Sequence, residues 1–210
     1  MKNLHYEIVL DRSGSMQRIK ADTEGGLAAF LETQRVLVDM DVTASLHQFD
    51  EWYETVYVDK HVSEVPEFTL VPRGLTALHD AIGRTVSGLE ARLKDSQPEL
   101  HPDTVVVVIV TDGQENSSRE FTGADVKELI TRKRADGWEF LFMGADQDAV
   151  TAGRDLGVMG SNSISYDTRR AGSTQVAWAS AVNSTVRGAS GLGYGFTEEE
   201  REATRSGVQQ

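Results

Sequence analysis

The sequence predicts an α/β fold: a doubly wound, mostly parallel central β-sheet with one antiparallel edge strand and helices on both faces. Strand-like apolar runs alternate with helix-like stretches along the 210 residues. The run Thr104–Val110, TVVVVIV, is almost wholly β-branched, which is typical of a central strand covered on both faces. Only three residues separate the strand-like runs Thr43–Phe49 and Tyr53–Val58. So short a link favours an antiparallel hairpin.

The first half of the chain begins with an apolar strand, predicted at Tyr6–Leu10. A helix is predicted over Gln17–Asp39, where apolar residues recur at helical spacing, although the Gly25-Gly26 pair weakens its middle. After the hairpin, prolines bracket an irregular connection. Thr76 is then predicted to open a helix that runs to about Lys94.

The second half repeats the alternation after the central strand. Its predicted elements are a helix over Thr122–Ala135 with Thr122 as N-cap, a strand over Trp138–Met143, a helix over Asp146–Leu156, a strand over Ser163–Tyr166 and a helix over Thr174–Val186. We expect one domain over residues 1–188. Residues 189–210 form a Gly-rich and then charged tail, in which Thr197 and Glu200 have the spacing of a capping box and predict a short helix.

The composition excludes or disfavours several classes of protein. The hydrophobic fraction of 39% is sufficient for one buried core. The formal charge of −12 disfavours nucleic-acid partners, because it repels phosphates. The absence of cysteine excludes disulfides and thiolate metal sites. The apolar run before Asp11 is too short for a signal peptide, and no stretch is long enough to span a bilayer. We therefore expect a cytoplasmic protein without a membrane partner.

Five oxygen-bearing side chains occur in three separate segments: Asp11, Ser13 and Ser15 after the first strand, Thr76 at a helix start, and Asp112 after the central strand. In doubly wound sheets, ligands bind at the carboxyl ends of strands where the strand order reverses. Carboxylates and hydroxyls are the hard donors that Mg²⁺ prefers. The sequence thus predicts a divalent-cation site at one sheet edge, with five oxygens for an octahedral shell of six.

Simpler interpretations of these residues remain open. Asp11, Ser13 and Ser15 could form a turn and cap the following helix. Thr76 could be an ordinary N-cap, and Asp112 could begin a turn before Gly113. The metal interpretation has the advantage that a cation between Asp11 and Asp112 would relieve the repulsion of two neighbouring carboxylates.

The DRSGS run, the GLTALHDAI segment and the TDG after a second strand resemble, in that order, the von Willebrand factor A (vWA) domain and its metal ion-dependent adhesion site, MIDAS. The matching order of elements extends from Tyr6 to about Leu156. The resemblance implies an intracellular bacterial or phage-type member that binds Mg²⁺ (or Mn²⁺). It also implies that Ser13, Ser15 and Thr76 contact the metal directly, while Asp11 and Asp112 act largely through water. A partner protein's Asp or Glu carboxylate would complete the shell.

Six further residues are predicted to form a rim that selects the partner: Arg12, Met16, Arg73, Gln114, Glu115 and Asn116. The alternative is an ordinary solvated loop. Arg12 and Arg73 are of interest because two cationic groups beside a metal would attract a carboxylate. Asp80 is predicted to lie outside the ligand set. The five histidines show no recognised ligand spacing, and we expect them to be ordinary surface or core residues.

The leading hypothesis is a metal-dependent protein-binding module without enzymatic activity. Hydrolase motifs such as G-x-S-x-G and the P-loop are absent from the sequence, and Asp112 has only Glu115 as an acidic neighbour. Two alternatives use the same residues. One is a metal-dependent phosphoesterase, which turnover of a generic phosphate ester would reveal. The other is a structural assembly component in which the metal only stabilises the sheet edge.

Overall fold

The computed structural model describes residues 2–37, 40–145, 148–170 and 172–206. Within these residues, six strands form one sheet: β1 (Lys2–Asp11), β2 (Met40–Phe49), β3 (Tyr53–His61), β4 (Thr104–Thr111), β5 (Glu139–Ala145) and β6 (Ser163–Tyr166). Their spatial order is β3-β2-β1-β4-β5-β6, and every neighbouring pair is parallel except β2 and β3. The predicted fold class is therefore confirmed. The strand order reverses between β1 and β4, which makes their carboxyl ends the switch point of the sheet.

The described part of the chain has six α-helices that cover the sheet: α1 (Lys20–Arg35), α2 (Leu78–Asp95), α3 (Gly123–Ala135), α4 (Ala149–Asp155), α5 (Ser173–Ala189) and α6 (Glu198–Ser206). Alternate residues of β1 and β4 enter two separate cores. Tyr6 and Val108 belong to the core that includes residues of α1 and α5, whereas Val9 and Val107 belong to the core that includes residues of α2, α3 and α4. This two-sided burial explains the unbroken apolar character of β4.

The first strand is longer than predicted. It begins at Lys2 because its amino-terminal half pairs with both neighbours, with Lys2 opposite Met40 and Leu4 opposite Thr104. These pairs join residues that are far apart in the sequence. The residues before Tyr6 are mostly polar, so their local pattern does not predict a strand.

The first helical region also differs from the prediction. A 3₁₀ segment, Gly14–Ile19, precedes α1, and α1 ends at Arg35. The predicted end at Asp39 lies outside the described residues, as does Val38. Gly25-Gly26 does not interrupt the helix. A Cβ on Gly26 would lie 2.2 Å from the ring of Trp178, so this glycine lets α1 approach α5 closely.

The helix predicted to open at Thr76 begins at Leu78 instead. Thr76 does not enter the helix because Asn116 binds both of its backbone groups. The Thr76 N–H donates to Asn116 Oδ1 (2.9 Å), and the Thr76 carbonyl accepts from the Asn116 N–H (3.0 Å). Later in the chain, α4 begins after Asp148, whose side chain accepts hydrogen bonds from two backbone N–H groups of its first turn. The predicted start of that helix at Asp146 lies outside the described residues.

The carboxyl-terminal segment contains α6, and its N-terminus has reciprocal bonds between Thr197 and Glu200. Phe196 is buried, and Arg187 binds Glu200 at 2.9 Å. The Arg201 guanidinium donates to four backbone carbonyls, those of Gly160, Ser161, Ser163 and Phe196. This segment thus packs against α5 and β6, and the predicted boundary after residue 188 falls in the last turn of α5. Among the described residues, none of the helices has both the length and the apolar character needed to cross a bilayer.

Candidate metal centre

The carboxyl ends of β1 and β4 bring Asp11 and Asp112 together. Asp11 is the last residue of β1, and its side chain is fully buried. Its Oδ2 accepts a hydrogen bond from Thr111 Oγ1 (2.6 Å), and its Oδ1 accepts one from the Ser13 N–H (2.6 Å). Asp112 follows β4 directly. Both carboxylates therefore sit at the switch point of the sheet, as the fold predicts.

The two serines lie beside Asp112. Ser13 Oγ is 3.1 Å from Ser15 Oγ and 3.5 Å from Asp112 Oδ1. The Ser15 hydroxyl donates to the same Asp112 oxygen at 2.5 Å. Ser13 is buried and Ser15 is exposed. The Asp-x-Ser-x-Ser spacing across the start of the 3₁₀ segment thus aims both hydroxyls at the carboxylate of the neighbouring strand.

Thr76 approaches the same point from a different loop. A Cβ placed on Gly113 would lie 3.2 Å from Thr76 Oγ1 and 3.8 Å from Ser15 Oγ. The missing side chain at position 113 therefore lets the two hydroxyls approach the backbone after Asp112. The Gly14 N–H also donates to the Gly74 carbonyl (3.2 Å), which joins the first loop to the Thr76 loop.

The structure thus brings together all five residues that the sequence singled out, although their role as metal ligands stays a prediction. The pKa of Asp11 is raised to about 6, mainly by burial and to a smaller extent by the charge of Asp112, and the hydrogen bonds from Thr111 and Ser13 act against this increase. Carboxylates and hydroxyls are hard oxygen donors, so this set fits Mg²⁺ or Mn²⁺. A cation there would favour the charged form of both aspartates.

The predicted rim residues occupy several different environments. Gln114 is exposed, and Asn116 holds Thr76 in place as described above. Glu115 anchors its own loop to α2, because it accepts from the N–H groups of Ser118 (2.7 Å) and His79 (2.9 Å). Asp80 has a similar structural role, since it accepts from the backbone N–H groups of residues 119–121.

Arg12, Arg73 and Met16 differ in their access to solvent. Met16 is fully buried, and Arg12 is 4% exposed, so neither presents the open surface expected of a rim. Arg12 Nε binds Asp50 Oδ2 at 3.1 Å, and Arg73 Nε binds the same oxygen at 2.8 Å. The Arg73 side chain is exposed. Both guanidinium groups are therefore already paired with a carboxylate.

Asp50 is the residue near the site that the sequence reasoning missed. It is buried, it binds both arginines, and its Oδ1 accepts from the Trp52 N–H (2.6 Å). Its carbonyl accepts from the Ala77 N–H (2.9 Å). Asp50 thus joins three loops around the site. The available signal was its position, because Asp50 directly follows the carboxyl end of β2, as Asp112 follows that of β4.

Comparison with known proteins rests on structure alone. A scan against protein-family models finds no match, and a search of curated proteins finds none either. Among solved structures, the chain is similar to the vWF domain of the type V pili tip protein Mfa5 from Porphyromonas gingivalis. The TM-score is 0.62 at 9% identity, and the match covers 89% of this chain and 96% of that chain.

The chain is also similar to proximal thread matrix protein 1 (PTMP1) from the mussel byssus. The TM-score is 0.61 at 15% identity, over 89% of this chain and 46% of that chain. A PTMP1 structure with a zinc-occupied MIDAS motif matches with a TM-score of 0.53 at 13% identity, over 84% of this chain and 46% of that one. The chain therefore spans about half the length of PTMP1. Together, these similarities show that it has the fold of von Willebrand factor A domains.

Proposed function

We propose that this protein is a metal-dependent protein-binding module. In this proposal, Asp11, Ser13, Ser15, Thr76 and Asp112 hold Mg²⁺ or Mn²⁺, and the metal binds an Asp or Glu carboxylate of a partner protein. The observation that carries the proposal is the convergence of three hydroxyls and two carboxylates from three loops at one sheet edge. The fold similarity to vWA domains and the zinc-occupied MIDAS of PTMP1 support it.

Each residue has a distinct task in this proposal. Asp11 supplies charge from a buried position, where Thr111 and the Ser13 N–H fix its orientation. Ser15 is exposed and lies at the opening of the site, while Asn116 holds the backbone of Thr76 in place. When bound, the metal would supply a Lewis acid that attracts an anionic oxygen. The hydroxyls add no charge, so an external carboxylate is a favourable additional ligand.

The surroundings favour binding of a protein over catalysis. Trp52 is 70% exposed and Leu75 is 54% exposed, and both lie in loops beside Thr76. Glu51 Oε2 accepts from the Leu75 N–H (2.7 Å), which holds the two loops together. Exposed aromatic and apolar side chains are typical of protein interfaces. Glu115, the nearest candidate for a general base, is engaged by backbone N–H groups, and its pKa is lowered because these bonds outweigh its burial.

The proposed compartment is the cytoplasm. Its support is that a chain without cysteine has no disulfides, the crosslinks that are typical of small proteins in oxidising compartments.

The experiment uses an array of short peptides, each with a single Asp or Glu, and a matched set in which that residue is Asn or Gln. Purified protein is applied with Mg²⁺, with Mn²⁺ and with EDTA. We expect acidic peptides to bind only when metal is present, and their amide counterparts not to bind. Asp112→Ala should abolish binding. Asp95→Asn, which removes an exposed carboxylate at the far end of α2, should not change it.

Other results would identify the alternatives. Acidic-peptide binding that persists in EDTA would contradict the metal-dependent mechanism and favour the assembly component. Metal-dependent turnover of a generic phosphate ester that Asp112→Ala abolishes would favour the phosphoesterase.

A further inference from the structure

A second polar cluster lies under α2, around the middle of β1. His5 and Glu7 project from the same face of the strand and are almost wholly buried. Asp59 of β3 approaches them from the edge of the sheet. His5 Nε2 lies 3.3 Å from Glu7 Oε1 and 3.6 Å from Asp59 Oδ1, and the three ligand atoms all lie within 4.8 Å of one another.

These separations match those between neighbouring ligands of a metal shell. A charged N–H···O bond is usually about 2.7–2.9 Å long, so both His5 contacts are long. Zn²⁺ binds imidazole nitrogen and carboxylate oxygen at about 2.0–2.2 Å with tetrahedral geometry. The edges of such a tetrahedron measure roughly 3.3–3.6 Å. The distances from His5 to the two carboxylates fall in this range.

Hydrogen bonds from neighbouring side chains orient His5 and Glu7. The other ring nitrogen of His5, Nδ1, bonds to Thr43 Oγ1 at 2.8 Å, which aims Nε2 at the two carboxylates. The second oxygen of Glu7, Oε2, bonds to His47 Nε2 at 2.7 Å, and His47 Nδ1 lies 2.7 Å from the Tyr53 hydroxyl. Metal-binding histidines and carboxylates typically have such supporting partners.

Asp59 reaches the cluster through an unusual backbone conformation. Its φ is +50°, and among the described residues it is the only non-glycine residue with a positive φ. The Asp59 N–H donates to Ser45 Oγ (3.0 Å), beside an irregularity in the pairing of β2 and β3. This conformation is strained for most side chains and directs the Asp59 carboxylate toward His5.

Arg92 of α2 contacts both carboxylates. Its guanidinium binds Glu7 Oε1, and its Nε lies 3.4 Å from Asp59 Oδ2. One positive charge thus faces two negative ones. The Arg92 side chain is 31% exposed and borders a cavity of about 360 Å³ that His5 and Asp59 also line. The cavity gives an ion a route to the cluster and gives the arginine room to withdraw.

We propose that His5, Glu7 and Asp59 form a second metal site, which takes Zn²⁺ or a similar transition metal, with Arg92 as an internal cation that the metal displaces. An imidazole ligand favours such metals over Mg²⁺. Asp11 lies four positions after Glu7 along the strand, a distance of about 13 Å. The site is therefore distinct from the proposed adhesion site and does not depend on it.

The test measures Zn²⁺ binding by calorimetry in an Asp112→Ala background, where the first site is removed. We expect one Zn²⁺ per chain, no Mg²⁺ binding, and a Co²⁺ adduct with the visible absorption of a tetrahedral complex. Asp59→Asn should weaken Zn²⁺ binding at least tenfold, and asparagine tolerates a positive φ, so the backbone is preserved. Asp41→Asn removes another carboxylate from the wall of the same cavity and should have no effect.

Arg92→Met supplies the decisive comparison. If the arginine competes with the metal, this variant should bind Zn²⁺ at least tenfold more tightly, and Zn²⁺ should raise its Tm more than it raises that of the parent. A merely structural ion pair predicts destabilisation without tighter binding. The proposal is overturned if Zn²⁺ does not bind, if Asp59→Asn and Asp41→Asn bind it equally well, or if Arg92→Met gains no affinity.

Discussion

Asp11 and Glu7 are buried carboxylates on the same face of the same strand, yet their environments act in opposite directions. Burial raises the pKa of Asp11 to about 6, and its charged neighbour is another carboxylate, Asp112. Burial also acts to raise the pKa of Glu7, but hydrogen bonds from His47 and His5 outweigh it and lower the pKa to about 2.

Burial alone therefore does not determine what a carboxylate does. Glu7 has nitrogen partners within the chain, including the guanidinium of Arg92. Asp11 faces hydroxyls and a second acid, an arrangement that a cation from solution would stabilise. The strand thus carries one carboxylate whose charge is balanced internally and one whose charge favours an external ion.

The largest expected effect is the loss of stability when Glu7, whose charge is balanced within the chain, is removed. Glu7→Ala leaves Arg92 without its buried partner, and breaking such a pair typically destabilises a protein by about 3–5 kcal/mol. Denaturant unfolding at neutral pH measures the change. Glu54→Ala removes the exposed partner of Arg12 and is the matched control, with an expected loss of about 1 kcal/mol or less. Equal losses in the two variants would contradict the comparison.

When metal is absent, Asp11→Asn should stabilise the protein, whereas Glu7→Ala should destabilise it. Because the folded-state pKa is raised, the charged form is unfavourable at pH 7.5, and wild type gains stability as the pH falls through about 6 toward 4. In EDTA, we expect Asp11→Asn to be more stable than wild type at pH 7.5 by roughly 2–3 kcal/mol. This difference should disappear near pH 4. Chemical unfolding across this range checks the sign, and a variant that is less stable at pH 7.5 would refute it.

Asn116→Ala tests how Thr76 is held at the proposed Mg²⁺ site. The variant removes the side-chain acceptor of the Thr76 N–H without removing a proposed ligand. Loss of an outer-shell partner typically weakens metal binding about 10–100-fold, and we expect Mn²⁺ affinity to fall within this range. Gln114→Ala alters an exposed neighbour and should leave the affinity unchanged. A Mn²⁺ titration of both variants distinguishes them.

Gly113→Ala should have the smallest effect. Its Cβ would lie 3.2 Å from Thr76 Oγ1, so the loop must shift by a few tenths of an ångström. We expect metal affinity to fall about tenfold, which corresponds to about 1.4 kcal/mol. Gly25→Ala is the control, because its Cβ meets no atom within 4 Å. If both variants bind metal as wild type does, the proposed approach of Thr76 to this backbone is wrong.

The residues of the proposed Mg²⁺ site could be predicted from the sequence because they lie at strand ends and just before a helix, in a recognisable order. Asp11 and Asp112 come after apolar runs, and the hydroxyls have a compact spacing. The start of α2 was placed two residues early because Thr76 also has the features of an N-cap. Its actual conformation depends on Asn116, which is 40 residues away in sequence.

The second cluster could not be predicted in the same way. His5 and Glu7 have the two-residue spacing of one strand face, which is a usable but weak signal. Asp59 joins them only because of its backbone conformation in β3, and Arg92 comes from a separate helix. Such contacts between distant segments follow from the register of the strands and the packing of α2, neither of which has a local sequence pattern.

The central claim is that the carboxyl ends of β1 and β4 hold a divalent cation. Isothermal titration of Mg²⁺ into wild type, Asp112→Ala and Asp95→Asn tests it most directly, because Mg²⁺ does not suit the His5 cluster. We predict one Mg²⁺ per chain in wild type and Asp95→Asn, and a loss of affinity of at least about 100-fold in Asp112→Ala. Equal Mg²⁺ binding by all three proteins, or binding by none of them, would contradict the claim.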